Sequence, residues 1–193
     1  MKILLIRHAE SEANAGLKTS DPAAIPLTEK GKSQAIKLAG QFNEAPDLII
    51  ITSYLRTRQT AQPLIDKFPS VPVEVWPLHE FTFLSPLACQ NTSVQDRLPM
   101  VKDYWSRCDP FFIHGEGAES FDQFSTRVKE VWEKLKDLRH SSITIFTHGQ
   151  VMRFLKQYLE EGDLHIGDAM QHLEKNKLTR PIQNAEMIVF QKI

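Results

Sequence analysis

The 193-residue chain carries 23 basic against 24 acidic side chains, a formal net charge of −1, and 41% hydrophobic residues. That is enough apolar material for a fold burying roughly 70% of its unfolded surface, with no basic excess of the kind that grips nucleic acid or a membrane surface. Its cysteines, Cys89 and Cys108, lie far from any C-x-x-C spacing, which excludes a disulfide framework or a zinc ribbon, and no apolar run approaches a bilayer span. The apolar residues before Arg7 are too few for a secretory leader, so a soluble cytoplasmic protein with neither nucleic acid nor membrane as partner is expected.

Ile3-Leu4-Leu5-Ile6, flanked by charge, reads as a strand covered on both faces, which a parallel sheet inside an α/β fold requires. Arg7, His8 and Glu10 follow without a spacer, at the strand end where open α/β sheets bind ligands. Residues 27–31 lead into a helix patterned by Ala35, Leu38, Ala39 and Phe42, with Thr28 as its cap. A second buried strand covers 47–51, and the stretch TSYLRTRQTAQ then starts a helix carrying Arg56 and Arg58, which Pro63 is expected to kink or end. A third strand over 71–76, weakened by Pro72, runs into His79 and Glu80.

Residues 81–119 show no clean period and mix Phe81, Phe83, Trp105, Phe111 and Phe112 with polar residues, so they are predicted to form an insertion or lid with one short helix at 96–105. The clearest helix spans 120–138, with Phe121, Phe124, Val128, Val131, Trp132 and Leu135 on one face and a Ser120/Gln123 capping box; its aromatics are core. A strand at 142–146 ends in Thr147-His148-Gly149, Val151, Phe154, Leu155 and Tyr158 pattern the next helix, and 185–191 supplies a last strand.

This alternation predicts an α/β three-layer sandwich, a mostly parallel central sheet with helices on both faces, formed by residues 1–193 as one domain. One rim of such a sheet would collect Arg7, His8, Arg56, Glu80 and His148. The set suits a phosphoryl group: Arg forks bind its oxygens bidentately, and two guanidinium charges keep a nearby imidazole neutral and nucleophilic. A second imidazole can donate to the equatorial oxygens, and a carboxyl group can protonate the leaving alkoxide.

These residues fall in blocks that resemble the histidine phosphatase superfamily, in its phosphoglycerate-mutase-like branch. The blocks are Arg7-His8-Ala9-Glu10-Ser11 with Asn14; Leu27-Thr28, Gly31 and Gln34-Ala35; Leu55-Arg56-Thr57-Arg58-Gln59-Thr60-Ala61; Leu78-His79-Glu80; Glu119-Ser120; and Thr147-His148-Gly149 with Arg153. The resemblance implies a phosphoglycerate-mutase-like fold, a covalent phosphohistidine at His8, a phosphate pocket of Arg7, Asn14, Arg56 and His148, and Glu80 as proton donor. No metal or other cofactor is implied, and the partner is a small-molecule phosphate ester, with a phosphoprotein as a further possibility.

Ala9 replaces the usual glycine, Ala13 the tryptophan that mutases carry, and a Phe81-Thr82-Phe83-Leu84 run the glycine that often follows the acid segment. The mutases' paired arginines have no evident counterpart around Asp96-Arg97-Leu98. A phosphatase is therefore the reading, with a mutase, a phosphohistidine or phosphoprotein phosphatase and a non-catalytic phosphate-binding module as alternatives. Glu10 reads equally as support for its loop or as an ion-pair partner, and Arg58 as a surface charge. His8-x-Glu10 lacks the P-C-x-x-C partner of zinc deaminases, and no Walker-type glycine loop is present.

Overall fold

In the computed structural model, which describes residues 1–179 and 181–191, the elements follow as β1 (Lys2–Arg7), α1 (Glu29–Gly40), β2 (Leu48–Ile51), α2 (Leu55–Lys67), β3 (Val73–Val75), α3 (Val94–Ser106), α4 (Phe121–Asp137), β4 (Ser142–Thr147), α5 (Gly149–Glu161), α6 (Ile166–Thr179) and β5 (Met187–Gln191). Residues 180, 192 and 193 of the span expected to form one domain lie outside the described residues.

Alternation along each strand builds the layers. Ile3 and Leu5 of β1, with Leu48, Ile50, Ile143 and Ile145, face α4 and α5 and pack on Phe121, Phe124, Val128, Val151 and Phe154. Leu4, Ile6, Ile49, Ile51 and Phe146 point the other way, onto Leu38 and Ala39 of α1 and Ala61 and Leu64 of α2. Both sheet faces are thus covered, and each fully buried side chain of this size contributes about 1.5–3 kcal/mol by leaving water.

The sheet order is β3-β2-β4-β1-β5. The β1–β4, β2–β4 and β2–β3 pairs are parallel, and β5 runs antiparallel on β1, which gives the expected mostly parallel α/β sheet. β3 is an edge strand shortened to three residues; Pro72 lies outside it but still offers its carbonyl to the Ile49 N–H at 3.0 Å.

One expectation, that Pro63 would kink or end its helix, needs correction as to the end. The helix carrying Arg56 does not end at Pro63 but continues to Lys67. Proline costs roughly 3 kcal/mol inside a helix, and here the face bearing Thr60, Ala61 and Leu64 is almost wholly buried, so packing outweighs the missing hydrogen bond. Sequence reading also overlooked α6, although Ile166, Ala169, Met170 and Leu173 follow the i, i+3, i+4, i+7 spacing. The capping predictions agree with the structure. Thr28 Oγ1 accepts from Gly31 N at 3.0 Å, and Ser120 and Gln123 form the reciprocal box that opens α4.

Candidate active site

The register of β1 on β4 places the two central histidines. Arg7 pairs with Thr147, so the chain leaves both strands at the same height, and the His8 N–H donates to the Thr147 carbonyl at 2.9 Å. The next residues, His8 and His148, therefore lie side by side, ring centroids 5.2 Å apart and edge to face. α2 begins just after β2 and brings Arg56 to the same edge, while the segment leaving β3 brings Glu80.

Hydrogen bonding settles the state of His8. Its Nδ1 lies 2.8 Å from the Ala9 carbonyl, which can only accept, so Nδ1 carries the proton. Arg56 Nε, which can only donate, lies 3.2 Å from Nε2, so the lone pair is on Nε2. Burial, then the Arg56 and Arg7 guanidinium charges, hold His8 well below the ordinary histidine value of 6.5, against an upward pull from the Ala9 carbonyl. His148 is fully buried, with Nε2 3.1 Å from Thr52 Oγ1 and Nδ1 without a hydrogen-bond partner. Burial and then Arg56, His8, His79 and Arg7 depress it in the same direction.

Both imidazoles are thus neutral in the folded chain and protonate near pH 6.5 once unfolded. Below that pH the unfolded chain binds more protons than the folded one. Their contribution to stability is present above pH 6.5 and is lost as pH falls towards the depressed folded values. Denaturant midpoints measured from about pH 7.5 down to about pH 5 should decrease, less steeply in His148→Gln. A flat profile in the wild-type chain would contradict the neutral assignment.

The arginines are tethered as well as charged. Arg56 Nη1 donates to the Pro22 carbonyl at 2.6 Å and its guanidinium lies 4.7 Å over the Tyr54 ring. Arg7 Nη1 donates to the Ile182 carbonyl at 2.6 Å, while its buried Nε has no partner. One carboxylate oxygen of Glu80 accepts from the Phe81 N–H and from the Gln150 N–H in the first turn of α5, both at 3.2 Å.

The loop after β1 is clasped by the second sequence block. Glu10 donates its N–H to Gln34 Oε1 at 2.8 Å, and its carbonyl accepts the Thr28 N–H at 3.0 Å. That carbonyl comes within 2.0 Å of where a Cβ of Gly31 would stand, so only glycine fits there. The Glu10 carboxylate pairs with Lys30 at 2.6 Å and with Thr28 Oγ1 at 2.9 Å, so Glu10 both supports the loop and forms an ion pair. The methyl group of Ala9 is buried against Leu27 and Ala35, and the Ala9 N–H donates to Thr60 Oγ1 at 3.0 Å.

Asn14 lies at the mouth, its Oδ1 accepting from Ser11 N, Ser11 Oγ and Asn184 Nδ2, which leaves its own Nδ2 as the donor it can offer. Asn184, which also donates to the His8 carbonyl at 3.1 Å, is a supporting residue that sequence reading missed, as are Thr52 and Gln150. Nothing local marks their roles, since the partner of each lies in a distant part of the chain.

Arg7, His8, Asn14, Arg56 and Glu80 all line one cavity of about 280 Å³, with His148 buried beside His8. Segment 81–119 supplies its other wall through Phe81, Phe83, Leu84, Cys89, Val94 and Val101, with Arg97 as its one basic lining residue. Arg153 borders a different cavity, Arg58 is exposed, and Cys89 and Cys108 are unpaired.

Two guanidinium groups, two neutral imidazoles and a carboxyl group at the carboxyl ends of parallel strands define an α/β fold with a site suited to a phosphoryl group. The chain belongs to the histidine phosphatase superfamily (branch 1), whose sequence model matches residues 3–183. A 2,3-bisphosphoglycerate-dependent phosphoglycerate mutase of Rhizobium etli is 25% identical over 170 residues, which cover 82% of this chain and 79% of that protein. The adenosylcobalamin/alpha-ribazole phosphatase of Escherichia coli is 28% identical over 162 residues, 80% of this chain and 77% of its own length. In fold, the chain matches the alpha-ribazole phosphatase from Shigella flexneri with a TM-score of 0.77 at 24% identity, over 100% of this chain and 91% of that one.

Proposed function

We propose that the protein is a cytoplasmic phosphatase that hydrolyses a phosphate monoester through a covalent phosphohistidine at His8, working as one domain with segment 81–119 as its lid. The observation that carries this reading is the His8 tautomer: Nε2 presents its lone pair beside Arg56 Nε, at the base of the cavity that also holds Glu80. Substrate oxygens take over the N–H groups of Arg56 and Arg7, with Asn14 Nδ2 and His148 as further donors. The Nε2 lone pair forms the N–P bond as the ester P–O bond breaks, and the departing oxygen takes the proton of the Glu80 carboxyl group. Water then attacks phosphorus, gives its proton to the Glu80 carboxylate, and the N–P bond breaks to release phosphate and neutral His8.

Arg97 favours hydrolysis over mutase chemistry. A mutase must hold and turn a bisphosphate, yet this single arginine is the only basic residue that segment 81–119 brings to the cavity, and its Nε and Nη2 are already bonded to Ser93, Thr92 and Thr19. The apolar wall of Phe83, Leu84, Val94 and Val101 suits an alcohol carrying an apolar body. A phosphate panel tests both points. Burying one ring on such a wall should make kcat/KM for 2-phenylethyl phosphate about 10-fold or more above that for glycerol phosphate, whose leaving group is similar. The rate should be unchanged in chelator, because the Arg7 and Arg56 guanidinium groups already supply the positive charge a metal ion would bring. Phosphoglycerate isomerisation faster than hydrolysis of any panel member would overturn the phosphatase reading.

A further inference from the structure

The segment bearing Glu80 has no regular secondary structure, yet each of its carbonyls from Pro77 to Glu80 is taken by a side chain. Arg127 Nη1, from the second turn of α4, donates to Pro77 O at 2.7 Å and His79 O at 3.2 Å. Thr147 Oγ1 donates to Leu78 O at 2.7 Å, and Thr82 Oγ1 to Glu80 O at 3.2 Å. The remaining face of the Arg127 fork is bidentate on Glu119, with Nη2 to Oε1 at 2.7 Å and Nε to Oε2 at 3.1 Å. Glu119 in turn grips the far side of the segment: its Oε1 accepts the Thr82 N–H at 3.1 Å and its N–H donates to Thr82 O at 3.0 Å.

We infer that the Glu119–Arg127 pair is a positioning device that sets the height of the Glu80 carboxyl group over the reacting phosphoryl, an inference that rests on the proposed proton-donor role of Glu80. Each side chain of the pair is only 16% exposed, unlike the solvated ion pairs that contribute little. Its bonds straddle Glu80 on both sides, two to carbonyls before it and two to Thr82 after it. Neither residue lines the cavity, so neither touches the reacting atoms. A fork anchored to a rigid helix is what fixes an irregular loop to within the fraction of an ångström that proton transfer requires, and a displacement of about 1 Å in such a group can cost around 10²-fold.

The readout is the ratio of burst-phase rates on an alkyl and on an activated aryl phosphate, both at saturation, which is independent of the folded fraction and of substrate affinity and reports the proton delivered to the leaving oxygen. Arg127→Lys keeps the charge but cannot span both carbonyls and the carboxylate; Glu119→Gln keeps the acceptor for Thr82 but loses the charged fork. Each should lower the alkyl-to-aryl ratio about 10-fold or more, and neither should lower it further in a Glu80→Gln background. If both rates fall together and the ratio holds, the pair merely stabilises the fold and the inference is overturned. An equal further drop in the Glu80→Gln background overturns it too, since the pair would then act independently of Glu80. If Glu80→Gln itself leaves the ratio unmoved, the acid role of Glu80 has failed and takes this inference with it, which separates the two failures.

Discussion

Replacing His8 with alanine should abolish turnover, with a loss on the order of 10⁵–10⁶-fold, as expected when the nucleophile of a covalent enzyme is removed. Its lone pair is the one the site prepares. Nδ1 is held as donor by Ala9, Nε2 faces Arg56, and burial with two guanidinium charges keeps the ring unprotonated. Rapid quench with labelled substrate should trap an acid-labile, base-stable phosphoenzyme in the wild-type chain and none in His8→Ala, with circular dichroism checking that the variant is folded. Undiminished trapping in the variant would place the covalent step elsewhere.

Glu80→Gln carries the second large effect, and its size should depend on the substrate. Glutamine can still accept the Gln150 and Phe81 N–H bonds that seat Glu80, so the change removes a transferable proton more than a position. General acid catalysis is worth about 10²–10⁴-fold, and that loss is expected in the burst on an alkyl phosphate, whose oxygen cannot leave as an alkoxide. An aryl phosphate, leaving as phenolate, should lose far less in the burst, although its steady state will fall if Glu80 also activates water. Equal burst losses on the two substrates would assign Glu80 to positioning alone, and no loss on either would leave it without a role.

The strands and the amphipathic α4 were legible because burial imposes a period on local sequence, and the caps at Thr28 and Ser120 because they answer to neighbours three residues away. Pro63 misled because a local rule was applied where Ala61 and Leu64 are held by the core. The candidate site residues could be read from their blocks, but their relations could not. Gly31 is required by the Glu10 carbonyl, Thr52 meets His148, and the α5 amide at Gln150 seats Glu80, all through contacts between segments far apart in the chain. Arg97 shows the same limit: its neighbours in sequence revealed no arginine pair, and only the packing of segment 81–119 shows that it reaches the cavity alone.

The strand order has a consequence for how this protein comes into being. Within the sheet β1 pairs only with β4 and β5, and β4 lies between β1 and β2. During synthesis β1, which leads directly into His8, emerges before the other strands of the sheet, yet it has no partner there until residues beyond 141 have followed it. β2 and β3 can pair early; β1 must wait, and closing so long a loop is an entropic cost repaid only when β4 slots in. The insertion that completes the sheet is the same event that sets His148 against His8 and brings the α5 amide to Glu80. A nascent or truncated chain lacking β4 is therefore expected to lack the assembled site, and the appearance of the proposed activity during refolding would time the closure of the sheet itself.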